Sequence, residues 1–414
     1  MDNAGRHLQF CVIADDLTGA MDTGVGLTQA GLSAVITFSD KVNVSSDAMV
    51  ATTDSRAESS REAYRRVKTV AERFRSYYIY KKIDSTLRGN VAAELQALLD
   101  VTNADHAVVC PAFPASKRTI VDGQLLVDGV PVHQTSLSRD PVSPVTQSDI
   151  VALLRTGSGI TAENLSLGEV ERGPDHVAAR IRECPSRAIV IDALDDRHLR
   201  CIADALVLVG NRCLPCGSGG LGAQIPLAFG CTYKGRNIPP APTGPTLLAV
   251  GSRNDVSIRQ LQQVLDRVGP PLLRIEPREF RTRAGRDPRI NQIASEIVSL
   301  LRENPAVVVS SSLSGYASQM RRTMAPILGA IVLRVLATGR LKGLFLSGGD
   351  VARAVCGDES IQGLRILGDL QPGVIVGEVI GAHYEGLRVI TKAGGFGNED
   401  AMVQALHHLS QGDH

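Results

Sequence analysis

The sequence predicts an α/β protein of two domains, each a mainly parallel sheet flanked by helices, with a cleft between them. Short apolar runs alternate with stretches of helical spacing, which implies crossover connections. A chain of 414 residues is too long for one ordinary core. A proline-rich stretch then divides the alternation into two series. The first series predicts strands at Phe10–Ala14, Ala34–Phe38, Met49–Thr53, Tyr77–Lys81, Ala107–Cys110 and Ala188–Ile191, with helical spacing over Arg56–Ser76 and Asn90–Val101. Residues 111–144 break this rhythm; Asp122-Gly123 and Asp128-Gly129 are turn signals inside an ordered excursion. From Asn237 to Pro245 the prolines give a stiff connector. The second series follows with strands at Thr246–Gly251, Leu272–Ile275, Ala306–Ser310, Gly343–Ser347, Val374–Ile380 and Leu387–Lys392. We therefore expect domains at 1–238 and 246–414, joined by a linker at 239–245.

The first strand ends abruptly in Asp15, Asp16, Leu17, Thr18 and Gly19. Ligands bind at the carboxyl ends of strands in open α/β sheets. Two adjacent carboxylates there repel each other and resist desolvation, which points to a site; the bland alternative is a helix-capping aspartate with a solvated neighbour. A second polar strand end, Lys81 to Asn90, offers Lys81, Lys82, Asp84, Ser85, Thr86 and Arg88 ahead of a helix whose N-terminus would favour an anion. A third is Thr53-Asp54-Ser55-Arg56, where Arg56 either grips a carboxylate ligand or pairs with Asp54. Cations on a carboxylate, with acids and hydroxyls on hydroxyl groups, suit one shared pocket for a small polyhydroxy anion.

The second domain carries glycine-bearing turns between strand and helix: Gly251-Ser252, Ser347-Gly348-Gly349-Asp350 and Ala393-Gly394-Gly395-Phe396-Gly397. Such turns let backbone amides approach phosphates, so a nucleotide site competes with ordinary turn chemistry. The P-loop pattern, the protein-kinase motifs and a dinucleotide fingerprint on the first strand are absent from the sequence. The order Asp15-Asp16-Leu17-Thr18 also lacks the second acid of an Asp-x-Asp phosphatase.

Other features exclude classes. A net charge of +1 gives no field for nucleic acid or membrane, and the absence of tryptophan disfavours base stacking. The apolar stretch Ala325–Leu336 is broken by Arg334 and is too short to span a bilayer. Eight scattered cysteines and a polar start lead us to expect a cytoplasmic protein. Cys213 and Cys216 have metal or redox spacing without a second pair, so we read a structural turn there, with Gly217–Gly220 opening a helix. The histidines show no ligand spacing, no protein metal centre is expected, and His407-His408 reads as a solvated helix end. The arginines at 278, 281, 283, 286 and 289, interleaved with acids, read as a solvated loop and helix entry.

The motifs Ile13–Ala20, Lys82–Asn90, Pro111–Pro114, Asp140-Pro141, Ser347–Asp350 and Thr391–Gly397 run in one order along nearly the whole chain. In them the chain resembles the four-carbon acid sugar kinase family. That resemblance implies an N-terminal sugar-acid domain, a C-terminal ATP domain, and phosphorylation of the terminal hydroxyl of threonate, erythronate or a 3-oxo form. It implies substrate binding by Asp15, Asp16, Arg56, Lys82, Asp84, Ser85, Thr86, Leu87 and Arg88, and ATP binding by Ser252, Ser347, Gly348, Gly349, Asp350, Gly394 and Gly395. On this reading Asp16 and Asp84 are the catalytic carboxylates, with Asp16 preferred as base, and Arg56, Ser85 and Arg88 clamp the substrate carboxylate. Mg2+ is held mainly by ATP and water, with Asp350 a candidate contact. The expected partners are the sugar acid and ATP, without nucleic acid or membrane; a homodimer is one option and the oligomeric state is left open. Residues 116–123 depart from the more glycine-rich form of the family, which leaves substrate preference open. A ribokinase-type sugar kinase and a sugar-acid sensor are the alternatives, and nucleotide binding separates the kinase from the sensor.

Overall fold

The computed structural model describes residues 9–38, 42, 44–140, 143–235, 238–280, 283–313, 321–381 and 383–411. Asn237, Pro141 and Arg281, parts of the connector, one family motif and the arginine run, lie outside the described residues. The chain divides into two compact units, one within 1–36 and 45–235, the other within 37–44 and 236–414. A boundary placed at the prolines alone does not foresee that 37–44 group with the second unit.

In chain order the first unit contains β1 (Phe10–Ala14), α1 (Leu17–Gln29), β2 (Ala34–Thr37), β3 (Ala48–Thr52), α2 (Ser60–Arg73), β4 (Tyr78–Lys82), α3 (Val91–Val101) and β5 (His106–Cys110). A small antiparallel sheet follows, β6 (Arg118–Val121), β7 (Gln124–Val127) and β8 (Val130–Pro131). Then come α4 (Ile150–Ser158), β9 (Ala162–Leu165), α5 (Leu167–Val170), α6 (Pro174–Glu183), β10 (Ala188–Ile191), α7 (Asp196–Val209), β11 (Cys213–Gly217) and α8 (Gly219–Ala228).

The large-sheet order in this unit is β2-β3-β1-β4-β11-β5-β10-β9, and the ladders from β3 to β9 are parallel. Strands buried on both faces read as continuous apolar runs, which is why β1 and β10 are legible. Helix α2 shows why the helices pack as they do: Ala63, Val67 and Ala71 recur every four residues and form its buried stripe. The chain runs from β1 outward to β3, then returns to place β4 on the other side of β1. That reversal is a topological switch point, the kind of position at which open α/β sheets bind ligands.

The second unit contains β12 (Thr246–Val250), α9 (Asp255–Arg267), β13 (Leu272–Arg274), α10 (Arg283–Leu300), β14 (Ala306–Ser310), α11 (Arg321–Leu336) and β15 (Gly343–Ser347). It continues with α12 (Gly349–Cys356), β16 (Gly363–Gln371), β17 (Val374–Ile380), β18 (Arg388–Lys392) and α13 (Ala401–Gln411). Its order is β13-β14-β12-β15-β18-β17-β16, parallel up to β18 and antiparallel beyond. The core sets Leu248, Val308, Phe345 and Ile390 of the sheet against Met402 and Leu406 of α13.

Every strand read from the sequence is present to within a residue at either end, in an α/β fold of mainly parallel sheets. Six were missed: β6, β7 and β8 within the excursion, and β9, β11 and β16. Cys213–Cys216 is a buried strand and not a turn. Pro215 argues against a central strand, but the ladder to β4 covers only Cys216 and Gly217 and so does not use the proline. Helix α2 starts at Ser60, so Arg56 belongs to a turn. Of the histidine pair, His408 is buried against the expectation of solvation. Residues 111–140 carry the small sheet and short 3-10 turns, and Asp122-Gly123 and Asp128-Gly129 both take positive φ in the hairpin turns.

Candidate active site

Asp15 and Asp16 follow β1 directly and have different environments. Asp16 is the N-cap of α1, its Oδ1 accepting from Gly19 N at 2.8 Å. Asp15 is buried, and Arg56 holds it with two nitrogens, Nε to Oδ2 at 2.7 Å and Nη2 to Oδ1 at 3.0 Å. The third nitrogen, Nη1, reaches Asp16 Oδ2 at 2.7 Å and lies 3.2 Å from Asp84 Oδ2. Arg56 therefore faces three acids and not Asp54. The turn that delivers it is pinned by Asp15 O, which accepts from Ser55 N at 3.0 Å and Arg56 N at 3.3 Å.

Asp84 follows β4 and organises a tight turn. Its Oδ1 accepts from Thr86 N at 2.8 Å and from the Thr86 hydroxyl, and its Oδ2 accepts from Arg88 Nη2 at 2.7 Å. Leu87 N closes the turn onto Asp84 O, and Leu87 takes φ 63°, a left-handed conformation uncommon for a bulky side chain. Such strain persists where its surroundings impose it and clusters at functional sites. Ser85 is half-buried in the same turn.

Lys81 and Lys82 point to opposite faces of β4. Lys82 Nζ donates to Ile83 O at 3.0 Å beside the first turn of α1, where its charge acts on Asp16. Lys81 is fully buried and paired at 2.7 Å with Glu94 of α3, so the segment offers a ligand two cations and not three. Glu94 Oε1 also accepts from Ser55 Oγ at 2.6 Å, and Ser55 shares a hydrogen bond with Thr53 Oγ1 at 2.7 Å. This pair props the Arg56 turn from below. Sequence reasoning passed over Glu94, although an acid on the stripe between Val91 and Leu98 was a readable signal.

The three acids have unequal electrostatics. Burial raises the Asp16 carboxyl above its ordinary value, opposed by Arg56 and reinforced by Asp15. For Asp84 burial also pushes upward, but Arg56 and Arg88 outweigh it and hold the carboxyl below the usual range. Asp16 is also the most accessible, its side chain 22% exposed against 3% for Asp15 and 8% for Asp84.

In the second unit Ser252, Ser347, Gly348 and Gly394 converge at the ends of β12, β15 and β18. A Cβ on Gly394 would collide with Ser252 Oγ, and one on Gly348, at φ 108°, would lie 3.3 Å from Ser252 N. Gly349 opens α12, and Asp350 in its first turn lies 3.6 Å from Arg353. The loop after β18 turns its carbonyls inward. Lys392 Nζ reaches the oxygens of Ala393, Gly394 and Phe396, each at 3.1 Å, and Gln260 Nε2 donates to Phe396, Gly397 and Asn398. Burial lowers the Lys392 ammonium to about 8. Among the described residues no group of three or more histidines, cysteines or acids stands together to hold a metal ion.

The model of a sugar-binding N-terminal domain matches residues 10–225, and that of a nucleotide-binding C-terminal domain matches residues 247–402. A D-threonate kinase from Bordetella bronchiseptica is 33% identical, over 97% of both chains. The chain belongs to the four-carbon acid sugar kinase family. It is a phosphotransferase with an alcohol group as acceptor, and its second unit is the nucleotide-binding one. Family relatives include a D-erythronate kinase of Heliobacterium modesticaldum, 31% identical over 96% of both chains. A 3-oxo-tetronate kinase of Brucella melitensis is 26% identical over 98% of this chain and 97% of that one. The fold matches a Haemophilus influenzae crystal structure with TM-score 0.77 at 23% identity, covering 95% of this chain and 98% of that one.

Proposed function

We propose that this kinase transfers the γ-phosphoryl group of ATP to the terminal O4 hydroxyl of a four-carbon sugar acid: D-threonate, D-erythronate or a 3-oxo-tetronate. The observation that carries this reading is the acid cage at the switch point, in which Arg56 bridges Asp15, Asp16 and Asp84 and Asp16 is the most exposed of the three. Asp16 accepts the O4 proton as the oxygen attacks phosphorus and ADP departs. Its raised pKa makes it a better proton acceptor than Asp84. Asp84, Ser85, Thr86 and Leu87 contact the sugar hydroxyls, and Arg88 and Lys82 lie beside the acidic end of the substrate.

The nucleotide phosphates rest on Ser252, Ser347, the Gly348-Gly349-Asp350 turn at the start of α12, and Gly394-Gly395, where the Gly394 carbonyl is already engaged by Lys392 and Ser257. The Asp350 carboxylate would contact a Mg2+ ion carried mainly by phosphate oxygens and water, and the ion would neutralise charge on the phosphates. The eight free cysteines suit a reducing compartment, and we place the enzyme in the cytoplasm. The reading is tested by assaying D-threonate, D-erythronate, their stereoisomers and 3-oxo forms for ADP release with Mg-ATP. Acid-dependent ADP release supports it. A protein that binds these acids but gives no ADP with any of them is a sensor instead.

A further inference from the structure

Arg56 faces three carboxylates with its three nitrogens, so a fourth carboxylate, that of the substrate, would have to displace one of them. The cation that receives it must come from elsewhere. We propose that Arg118, on the first strand of the small antiparallel sheet, is a specificity-determining residue that binds the sugar-acid carboxylate together with Arg88. This rests on the reading of the chain as a sugar-acid kinase.

The position of Arg118 is fixed by its backbone. Arg118 N donates to Phe113 O at 3.1 Å and Phe113 N to Arg118 O at 2.8 Å, tying the start of β6 to the end of β5. The far end of the hairpin is held by the Asp192 carboxylate, which accepts from Asp122 N at 2.8 Å and Gly123 N at 3.0 Å. These contacts dock the excursion against the ends of β5 and β10, at the same carboxyl edge of the parallel sheet as the end of β4 that carries Asp84 and Arg88.

The guanidinium is half-buried, attracted by Asp84 and repelled by Arg88. Its Nε is buried and has no hydrogen-bond partner among the described residues, and the same is true of Arg88 Nε. Two like charges that repel each other, each with an unsatisfied buried N–H, are a costly arrangement. A planar anion relieves both defects at once, and a carboxylate matches the guanidinium fork. The neighbouring Lys117 is exposed and already pairs with Asp128 at 3.2 Å, so it does not supply this function. The segment that departs from the family's usual form is therefore the one that reads the acidic end of the substrate.

The test compares Arg118→Met, Arg118→Gln and Arg118→Lys with the wild-type enzyme, measuring kcat and KM for the preferred four-carbon acid and KM for ATP. The expected result is a KM for the acid raised at least tenfold in the Met and Gln variants. KM for ATP and the melting temperature stay near wild type, kcat changes less than KM, and the Lys variant recovers part of the loss. A KM for the acid within twofold of wild type in the neutral variants overturns the assignment. So does a Lys variant no better than Met, because a structural arginine is not rescued by charge alone. Wild-type enzyme that turns over none of the acids overturns the kinase reading itself, a result distinct from active wild type with unchanged variants.

Discussion

Arg56 grips Asp15 through two nitrogens, at 2.7 and 3.0 Å, at a carboxylate that has almost no contact with solvent. Breaking a buried pair from one side leaves an uncompensated charge and typically costs about 3–5 kcal/mol. Arg56→Met is therefore expected to destabilise the first unit by about that amount in denaturant unfolding. Arg56→Lys is expected to lose a smaller part, because a point charge does not reproduce the two-nitrogen grip. Unchanged stability in the Met variant would mean that Asp15 is solvated in solution.

Asp16 combines two jobs that a single substitution separates. Asparagine caps helices about as well as aspartate, so Asp16→Asn is expected to leave the melting temperature nearly unchanged. It also removes the base, which typically contributes at least about 100-fold to rate. We expect kcat to fall by that order while KM for the sugar acid stays within a few fold. Steady-state kinetics beside a thermal melt decide it.

The pH–rate profile follows from the same carboxylate. The base must be ionised, and the carboxyl of Asp16 is raised by burial, so kcat should fall as pH drops through a value above the ordinary carboxylate range. Asp84, held low by Arg56 and Arg88 against burial, stays ionised throughout that window and does not produce the limb. The stability that Asp84 contributes is present above the ordinary Asp value of about 3.9 and is lost only as pH falls through its depressed folded value. A profile that is flat down to the ordinary carboxylate range would count against Asp16.

Lys392 gives a prediction at alkaline pH. Its ammonium falls from 10.5 to about 8 on burial. Between those values the unfolded chain binds the proton and the folded one does not, so this group makes stability rise with pH across the window. Lys392→Met removes the contribution. Unfolding free energies measured at pH 8 and 10 should show a more positive slope in wild type than in the variant, and equal slopes would place the ammonium in solvent.

The glycine loop is tested by crowding. Gly394→Ala puts a Cβ into Ser252 Oγ, where a nucleotide phosphate is proposed to approach. KM for ATP is expected to rise at least tenfold with KM for the sugar acid unchanged, and the thermal shift given by Mg-ATP should vanish in Gly349→Val and Gly395→Val. A retained shift would move the nucleotide site elsewhere.

The sequence revealed what depends on local pattern. Apolar runs located the strands because parallel strands are buried on both faces, and the acids and glycines marked the strand ends. It did not reveal partnership. Nothing in the spacing of Arg56 distinguishes Asp54, two residues away, from Asp15, whose proximity comes from β1 and β3 lying side by side. The burial of Lys81 was hidden for the same reason, since Glu94 reaches it from another element. β11 was missed because Pro215 and Gly217 resemble turn chemistry, and only the partial ladder to β4 makes a strand there tolerable. Arg118 was legible only as part of an unusual excursion. Its closeness to Asp84 and Arg88 depends on how the hairpin docks.

The central claim is transfer to a terminal alcohol of a four-carbon acid, and the product tests it most directly. The enzyme is incubated with Mg-ATP and the preferred acid, and the product is read by proton-coupled 31P NMR. A phosphate on O4 is split into a triplet by the two protons of the terminal carbon, and that is the expected result. A doublet would place the phosphate on an internal hydroxyl, and an unsplit resonance from the carboxylate or from free phosphate alone would contradict transfer to an alcohol.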